Sequence, residues 1–257
     1  MTHTNSLSFH PIQGLPEVHA GDQLLPLLEA GLLSSQLQLE DGDVLVLAQK
    51  IVSKAEGRAV DLASVTPGAE ARRLAAICHK DPRLVELILQ ESSAVLRTVA
   101  GVLIVRHRLG FTLANAGIDQ SNLPGGGERV LLLPEDPDAS AAALSQQISE
   151  HLGKRVAVLI ADSFGRPWRM GVCGTCIGCA GLSALFDMRG ATDREGRILG
   201  VTQLAVGDQL CATATLVCGE AAESTPAVLI RGVSERFLTN SRPATELVRP
   251  AAEDLFS

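Results

Sequence analysis

Apolar and polar positions change period several times along this chain, and each change predicts an element. Residues 22–33, "DQLLPLLEAGLL", follow helical spacing with an Asp near the start and Gly31 inside, which predicts a short helix. The apolar run 44–48 predicts a buried strand, followed by a polar segment carrying Lys50 and Lys54. Residues 68–79 and 82–91 predict two helices, the second with Pro at its first position. Runs 103–106 and 111–114, split by "HRLG", predict a hairpin. A glycine-rich loop, "NLPGGGER", then leads into a short strand and a turn, with Asp138 or Ser140 capping a helix through about His151. "KRVAVLIADSFGRPWRMG" predicts a strand that ends on Asp162 and breaks into a turn. A helix over 206–220 and the strand "PAVLIRGV" complete the pattern, and the last twenty or so residues carry less periodicity. Neither heptads nor a regular βαβ rhythm appears, so the fold class is α+β.

Composition narrows the function classes. Hydrophobic residues make up 46% of the 257, but aromatics only 3%, with no Tyr and one Trp, so the core must be aliphatic and alanine-rich. The net charge of −7 provides no footprint for nucleic acid or for an anionic membrane. No apolar run approaches the length of a spanning helix. The first residues lack the basic and apolar regions of a signal peptide, and six cysteines are too few for a dense disulfide framework, so a cytoplasmic protein with reduced thiols is expected.

Candidate chemistry begins with two acids. Asp119 in "NAGIDQSN" and Asp162 in "ADSFGRPWR" each lie where an apolar run gives way to a polar loop. With Ser121, Asn122 and Ser163 they supply the oxygen donors that Mg²⁺ or Mn²⁺ takes together with phosphate oxygens. Asp-Ser and Gly-x-Asp are also ordinary turn chemistry, and the residues alone leave the two alternatives balanced. Lys50, Lys54 and Arg58 recur every four positions, as a row that neutralises a triphosphate or, more commonly, as a solvated helix face. Neither Walker nor Rossmann glycine spacing is present. "VCGTCIGCAG" carries Cys173, Cys176 and Cys179 three residues apart. An iron–sulfur or zinc site would need a fourth ligand, and strand alternation would put Cys173 and Cys179 on one face and Cys176 on the other. Packing is therefore favoured over a thiol-based redox or metal-binding protein.

The ordered blocks "QKIVSKAEGR", "ANAGIDQSN", "DSFGRPWRMG", "IGCAG", "DMRGATDREGRILGVTQLAVGDQL" and "LVCGE" resemble the coenzyme F420-0:L-glutamate ligase family, over roughly residues 15–233. The resemblance implies a mixed α+β fold of two closely associated subdomains, an intertwined homodimer, a ligase domain over 10–234 and a tail over 235–257. It further implies GTP-dependent addition of L-glutamate to the deazaflavin precursor through an acyl phosphate, first as an amide and then γ-linked. Two divalent cations, Mg²⁺ or Mn²⁺, are expected, with K⁺ as a possible further ion. By motif, Asp119, Asp162, Ser163 and Glu220 match metal ligands, and both Asp residues are the expected catalytic pair. Leu15, Pro16, Glu17, Val18, Gln49, Lys50, Lys54 and Asn122 match GTP contacts, as do Val217, Cys218, Gly219 and Glu220. Gln209 and Gly174 depart from the pattern of many relatives, and the flavin-binding extension of some actinobacterial members is absent. An alternative within the same chemistry is glutamylation of another carboxylate acceptor, such as a folate-like compound.

Overall fold

The computed structural model describes residues 6–121 and 127–254. The chain runs through β1 (Ser8–Pro11), α1 (Leu24–Ser34), β2 (Val44–Ala48), α2 (Gln49–Ala55) and β3 (Ala59–Asp61). It continues through α3 (Ala69–Cys78), α4 (Pro82–Gln90), β4 (Ser92–Val99), β5 (Val102–His107), β6 (Thr112–Ala114) and β7 (Arg129–Leu131). Then follow α5 (Pro137–Leu152), β8 (Ala157–Arg166), β9 (Arg169–Ala180), β10 (Leu185–Asp187), β11 (Gln203–Ala205), α6 (Val206–Cys218), β12 (Ala227–Arg231) and α7 (Glu235–Leu238). The class is α+β, as the absence of a βαβ rhythm predicts.

A five-stranded sheet in the order β1-β12-β2-β8-β9 organises the main core. Its pairings are antiparallel except for β2 with β8, whose parallel register ends with Ala48 opposite Ala161, at the carboxyl end of β2 and midway along β8. Apolar side chains alternate between two buried layers. Leu45, Leu47, Val158 and Ile160 join α1 and α5 on one face, while Val44, Val46, Leu159 and Ala161 join α6 on the other. A third buried cluster unites α3 and α4 with β5, through Leu74, Ile88, Leu103 and Val105. The amphipathic patterns of α3 and α4 are satisfied there, beside the β4-β5-β6 sheet.

Three local expectations change once the chain is packed. β8 does not stop at Asp162; it runs on to Arg166, because β9 continues to pair with it as far as Arg169. The cap of α5 is Asp136, whose carboxylate accepts the Ala139 N–H at 3.0 Å, with Pro137 at the first helical position. Asp138 instead accepts N–H groups of Cys179 (2.8 Å) and Ala244 (2.7 Å), tying α5 to β9 and to the segment after α7. That segment is anchored through buried Ala244 and through Leu247, which packs against the α6 face.

The third change concerns the cysteines. A bulge in β9 leaves Gly178 opposite Ile160 and Cys176 opposite Ala161, so Ile177 is the extra residue. The bulge reverses strand alternation, and Cys176 and Cys179 therefore share the α6 face with Cys211. Hydrogen bonding to Cys176 and burial push the Cys179 thiol far above the ordinary thiol range, so it stays protonated. The glycines between these cysteines explain the small-residue run. A Cβ on Gly178 would meet the Pro137 carbonyl oxygen of α5 at 2.4 Å. One on Gly174 would meet Thr215 Oγ1 at 2.5 Å and the Cys211 carbonyl oxygen of α6 at 2.6 Å. β9 is thus a strand on which two helices lie close, one on each side.

Candidate active site

The carboxyl end of the parallel β2–β8 pairing opens into a cavity of about 400 Å³. This is where a crossover sheet leaves its loops free to build a ligand site. Four segments wall it: Leu15–Val18, the β2–α2 junction from Val46 to Lys54, Ala161–Ser163 of β8, and the end of α6 with the loop after it, through Thr215 and Cys218–Pro226. Of the residues singled out by sequence, Leu15, Pro16, Glu17, Val18, Gln49, Lys50, Lys54, Asp162, Ser163, Cys218, Gly219 and Glu220 all border this space. Val217 does not border it, and packs instead against the α6-side core. Asn122 lies outside the described residues.

Asp119 stands beside the cavity and is pinned by its backbone, which exchanges two hydrogen bonds with Leu131 at 3.0 and 2.8 Å. Its carboxylate contacts Lys50 Nζ at 2.7 Å and accepts the Ser121 N–H at 2.8 Å. Burial works against the charged form, but the Lys50 and Ser121 hydrogen bonds prevail and hold Asp119 below the usual carboxylate range. Asp162 is in the opposite condition. Burial, opposed by hydrogen bonding from the Ser163 backbone and reinforced by the Asp119 and Glu220 charges, pushes its carboxyl up to about 7. On the next residue Ser163 Oγ donates to Glu220 Oε1 at 2.6 Å. Lys54, one turn after Lys50 on α2, is paired with Glu17 at 2.5 Å.

The basic row divides here. Lys50 and Lys54 belong to the cavity, but Arg58 lies beyond the end of α2 and turns away. It contacts Glu91 at 2.9 Å and Glu135 at 3.0 Å, and donates to the Leu133 carbonyl. Each of the three cations has a carboxylate partner, and Lys54 and Arg58 are largely buried.

Sequence reasoning missed Thr215 and Thr225 as cavity walls. Thr215 had a signal, because it sits three residues before Cys218 on the same helical stripe. Thr225 had none; its position depends on the loop between α6 and β12. In that loop Glu223 accepts the Ala221 N–H at 2.8 Å, folding the carboxylate back on its own turn.

The donor set suits a hard cation. Asp119, Asp162 and Glu220 bring carboxyls near the Ser121 and Ser163 hydroxyls, and a bound cation would offset the burial, and the lesser like-charge repulsion, that raise Asp162. Among the described residues no three His, Cys, Asp or Glu side chains close on one point. The acids alone therefore make no closed cage among the described residues.

The profile of the F420-0:Gamma-glutamyl ligase family matches residues 14–232. The chain belongs to this family. A protein named coenzyme F420:L-glutamate ligase from Methanothermobacter thermautotrophicus is 42% identical over 250 residues, 97% of this chain and 98% of the relative. One of the same name from Methanopyrus kandleri is 42% identical over 254 residues, 98% of each chain. The Natronomonas pharaonis protein of that name reaches 48% over 226 residues, 86% of this chain and 84% of its own. Membership in the family accounts for the order of the sequence blocks around the cavity. It also covers the bulged cysteine strand, whose packing role needs no metal. No described helix is long and apolar enough to cross a membrane.

Proposed function

We propose that the protein joins L-glutamate to coenzyme F420-0 at the expense of GTP, first as an amide and then through the γ-carboxylate of the attached residue. The observation that carries this proposal is the meeting of two lysines and several carboxyls around one cavity at the end of the parallel pairing, in a chain of the ligase family. A carboxylate is a poor acylating agent at neutral pH, so it has to be activated. An acceptor carboxylate oxygen attacks the γ-phosphorus of GTP, the bond to the β-phosphate oxygen breaks, and GDP leaves an acyl phosphate behind. The glutamate amine then attacks the acyl carbon, inorganic phosphate departs, and the amine proton passes to solvent.

Such phosphoryl transfer needs positioning and charge neutralisation more than covalent chemistry by the protein. Lys50 and Lys54, which line the cavity, would neutralise phosphate oxygens, while Leu15–Val18 and the Cys218–Glu220 turn would wall the space for the nucleoside. Asp119 and Asp162, with Ser163 and Glu220, would hold two Mg²⁺ or Mn²⁺ ions, and K⁺ is compatible with the same oxygen-rich wall. Bound there, divalent cations supply charge stabilisation for the transferring phosphoryl group. Asp162 would gain most, because its carboxyl faces two like charges. The β8–β9 hairpin supports assembly as a homodimer: Trp168 and Met170 at its tip are 89% and 96% exposed, an apolar arm that a second copy would cover.

Mass spectrometry of reactions containing F420-0, L-glutamate and Mg²⁺ or Mn²⁺ tests the proposal. Mono- and diglutamyl products with GTP, and none without nucleotide, are expected. Products formed without nucleotide would overturn the acyl-phosphate route. Glutamylation of a folate-like acceptor but not of F420-0 would overturn the substrate.

A further inference from the structure

Each lysine of the cavity already has a carboxylate. Lys54 is paired with Glu17, a largely solvent-exposed carboxylate that is not one of the proposed cation ligands. Lys50 is different. Its Nζ lies 2.7 Å from Asp119 Oδ2 and donates to Ser121 Oγ at 2.8 Å. The Ser121 hydroxyl donates to the same carboxylate at 3.1 Å, and its N–H occupies the other oxygen at 2.8 Å. The acceptor capacity of Asp119 is largely used, and among the described residues Lys50 provides its only charged donor.

We propose that Lys50 is an exchangeable internal counter-ion, seated on Asp119 in the free protein and released to phosphate oxygens once Asp119 is given over to a divalent cation. The inference rests on the cation and nucleotide sites proposed above and adds a coupling between them. A ligand shifts an equilibrium only through contacts that differ between two states, and the Lys50–Asp119 contact is such a difference. The exchange needs no backbone movement, because Lys50 carries a compact charge on a flexible four-carbon stem rooted in the first turn of α2. With Asp119 holding Lys50, the cavity has two lysines, both paired, and neither is free for polyphosphate. With Asp119 holding a cation, Lys50 becomes available in the same space. By linkage, the help that cation gives to polyphosphate binding equals the help returned.

Chelation of the cation by nucleotide would also couple the two, so the deciding measurement omits nucleotide. Mn²⁺ is titrated into nucleotide-free wild type, Lys50→Met, Lys54→Met and Asp119→Asn, with free Mn²⁺ read by electron paramagnetic resonance at fixed ionic strength. Circular dichroism checks the fold of each, and Lys50→Gln stands in should the methionine variant aggregate. Lys50→Met should bind Mn²⁺ about tenfold tighter than wild type, towards the lower end of the range for site–site coupling. With saturating Mn²⁺ it should bind GDP more weakly. Lys54→Met removes the same charge one turn away and should change Mn²⁺ affinity by less than about threefold, since screened charge alone is a small effect. Asp119→Asn should lose affinity. Equal Mn²⁺ binding by wild type and Lys50→Met, with Asp119 still required, would overturn the exchange and leave the cation site standing. An equal gain in Lys54→Met would reduce the effect to the general field and overturn it likewise. Absence of Mn²⁺ binding to any of the proteins would overturn the cation site itself, and the exchange with it.

Discussion

Two clusters of charged side chains lie on either side of α2, built from the same residue types, and their carboxyls respond in opposite ways. In the cavity cluster, Lys50 and Lys54 face Glu17, Asp119, Asp162, Glu220 and Glu223, and Asp162 is pushed up to about 7 by burial, with Asp119 and Glu220 adding to it. In the second cluster Glu91 lies among Arg58, Arg108 and His107. Burial there would raise Glu91, but the His107 hydrogen bond and the two guanidinium charges outweigh it and bring the carboxyl to about 2. The Nδ1 of His107 accepts the Leu109 N–H at 3.0 Å, so Nε2 carries the proton and points to Glu91 at 3.4 Å. One cluster pairs its guanidiniums with protein carboxylates and joins β5 to the end of α2. The other has an excess of carboxyls that protein groups do not offset. A surplus of one sign inside a cleft marks the place that a ligand is built to complete.

That contrast can be broken most directly at Glu91. Glu91→Ala leaves Arg58 and Arg108 together without their shared carboxylate, and unfolding free energy in urea should fall by about 3 kcal/mol, the scale of breaking a buried ion pair. Product formation by the folded variant should remain. A loss of activity with unchanged stability would mean that the second cluster is not structural.

At Asp119 and Asp162 the pattern should be inverted. Asp→Asn at either keeps the shape but removes the charge, and turnover should drop by at least about a hundredfold. The cation-free fold should be slightly firmer for Asp162→Asn, whose charged form burial disfavours, and slightly weaker for Asp119→Asn, whose charge is held by Lys50 and Ser121. The pH dependence separates the clusters further. A carboxyl raised from 3.8 to about 7 in the folded state adds stability below its unfolded value, and loses that contribution as pH climbs through about 7. Chelator-treated Asp162→Asn should therefore gain on wild type in thermal unfolding between about pH 4 and 7, then level off. Glu91, lowered from 4.5 to about 2, stabilises above its unfolded value, so wild type should lose its advantage over Glu91→Gln as pH falls through that interval. Parallel pH profiles for the two variants would remove the distinction.

Smaller effects sharpen it. Lys54→Ala should raise the GTP concentration needed for half-maximal rate by about tenfold, the loss of one charge-assisted phosphate contact. An unchanged GTP titration would leave Lys54 as no more than the partner of Glu17. Replacing Cys173, Cys176 and Cys179 together by Ala should cost about 1–2 kcal/mol in stability through lost buried volume, with most activity kept. Stoichiometric zinc or iron in wild type, absent from the triple variant, would contradict a packing role.

Periodicity alone placed much of the molecule. The strand at 44–48 has the bounds its apolar run predicts, and α3, α4, α6 and β12 lie within a few residues of theirs. The β5–β6 hairpin was legible from two apolar runs and a Gly-containing break. β4, in contrast, alternates poorly, because much of it stays exposed beside β5, and no pattern announced it. The motif residues were legible as a set. Their convergence was not, since Leu15, Lys50, Asp162 and Glu220 come from four distant segments.

What the sequence by itself determined is the local chemistry: which stretches can bury one face, where Asp119 and Asp162 interrupt apolar runs, and the ordered blocks of the family. Those features depend on neighbours a few residues apart, and side-chain period encodes them directly. Only the tertiary structure decided which side of the protein each charge would serve. Lys50 and Arg58 are alike in sequence spacing, yet one turns to the mouth of β2 and β8 and the other to Glu91. Cys176 and Cys179 share a face because one bulge, fitted to the path of β8, reverses the alternation that sequence would assign. Register and partner choice are settled by long-range packing, and no local window of residues carries that information.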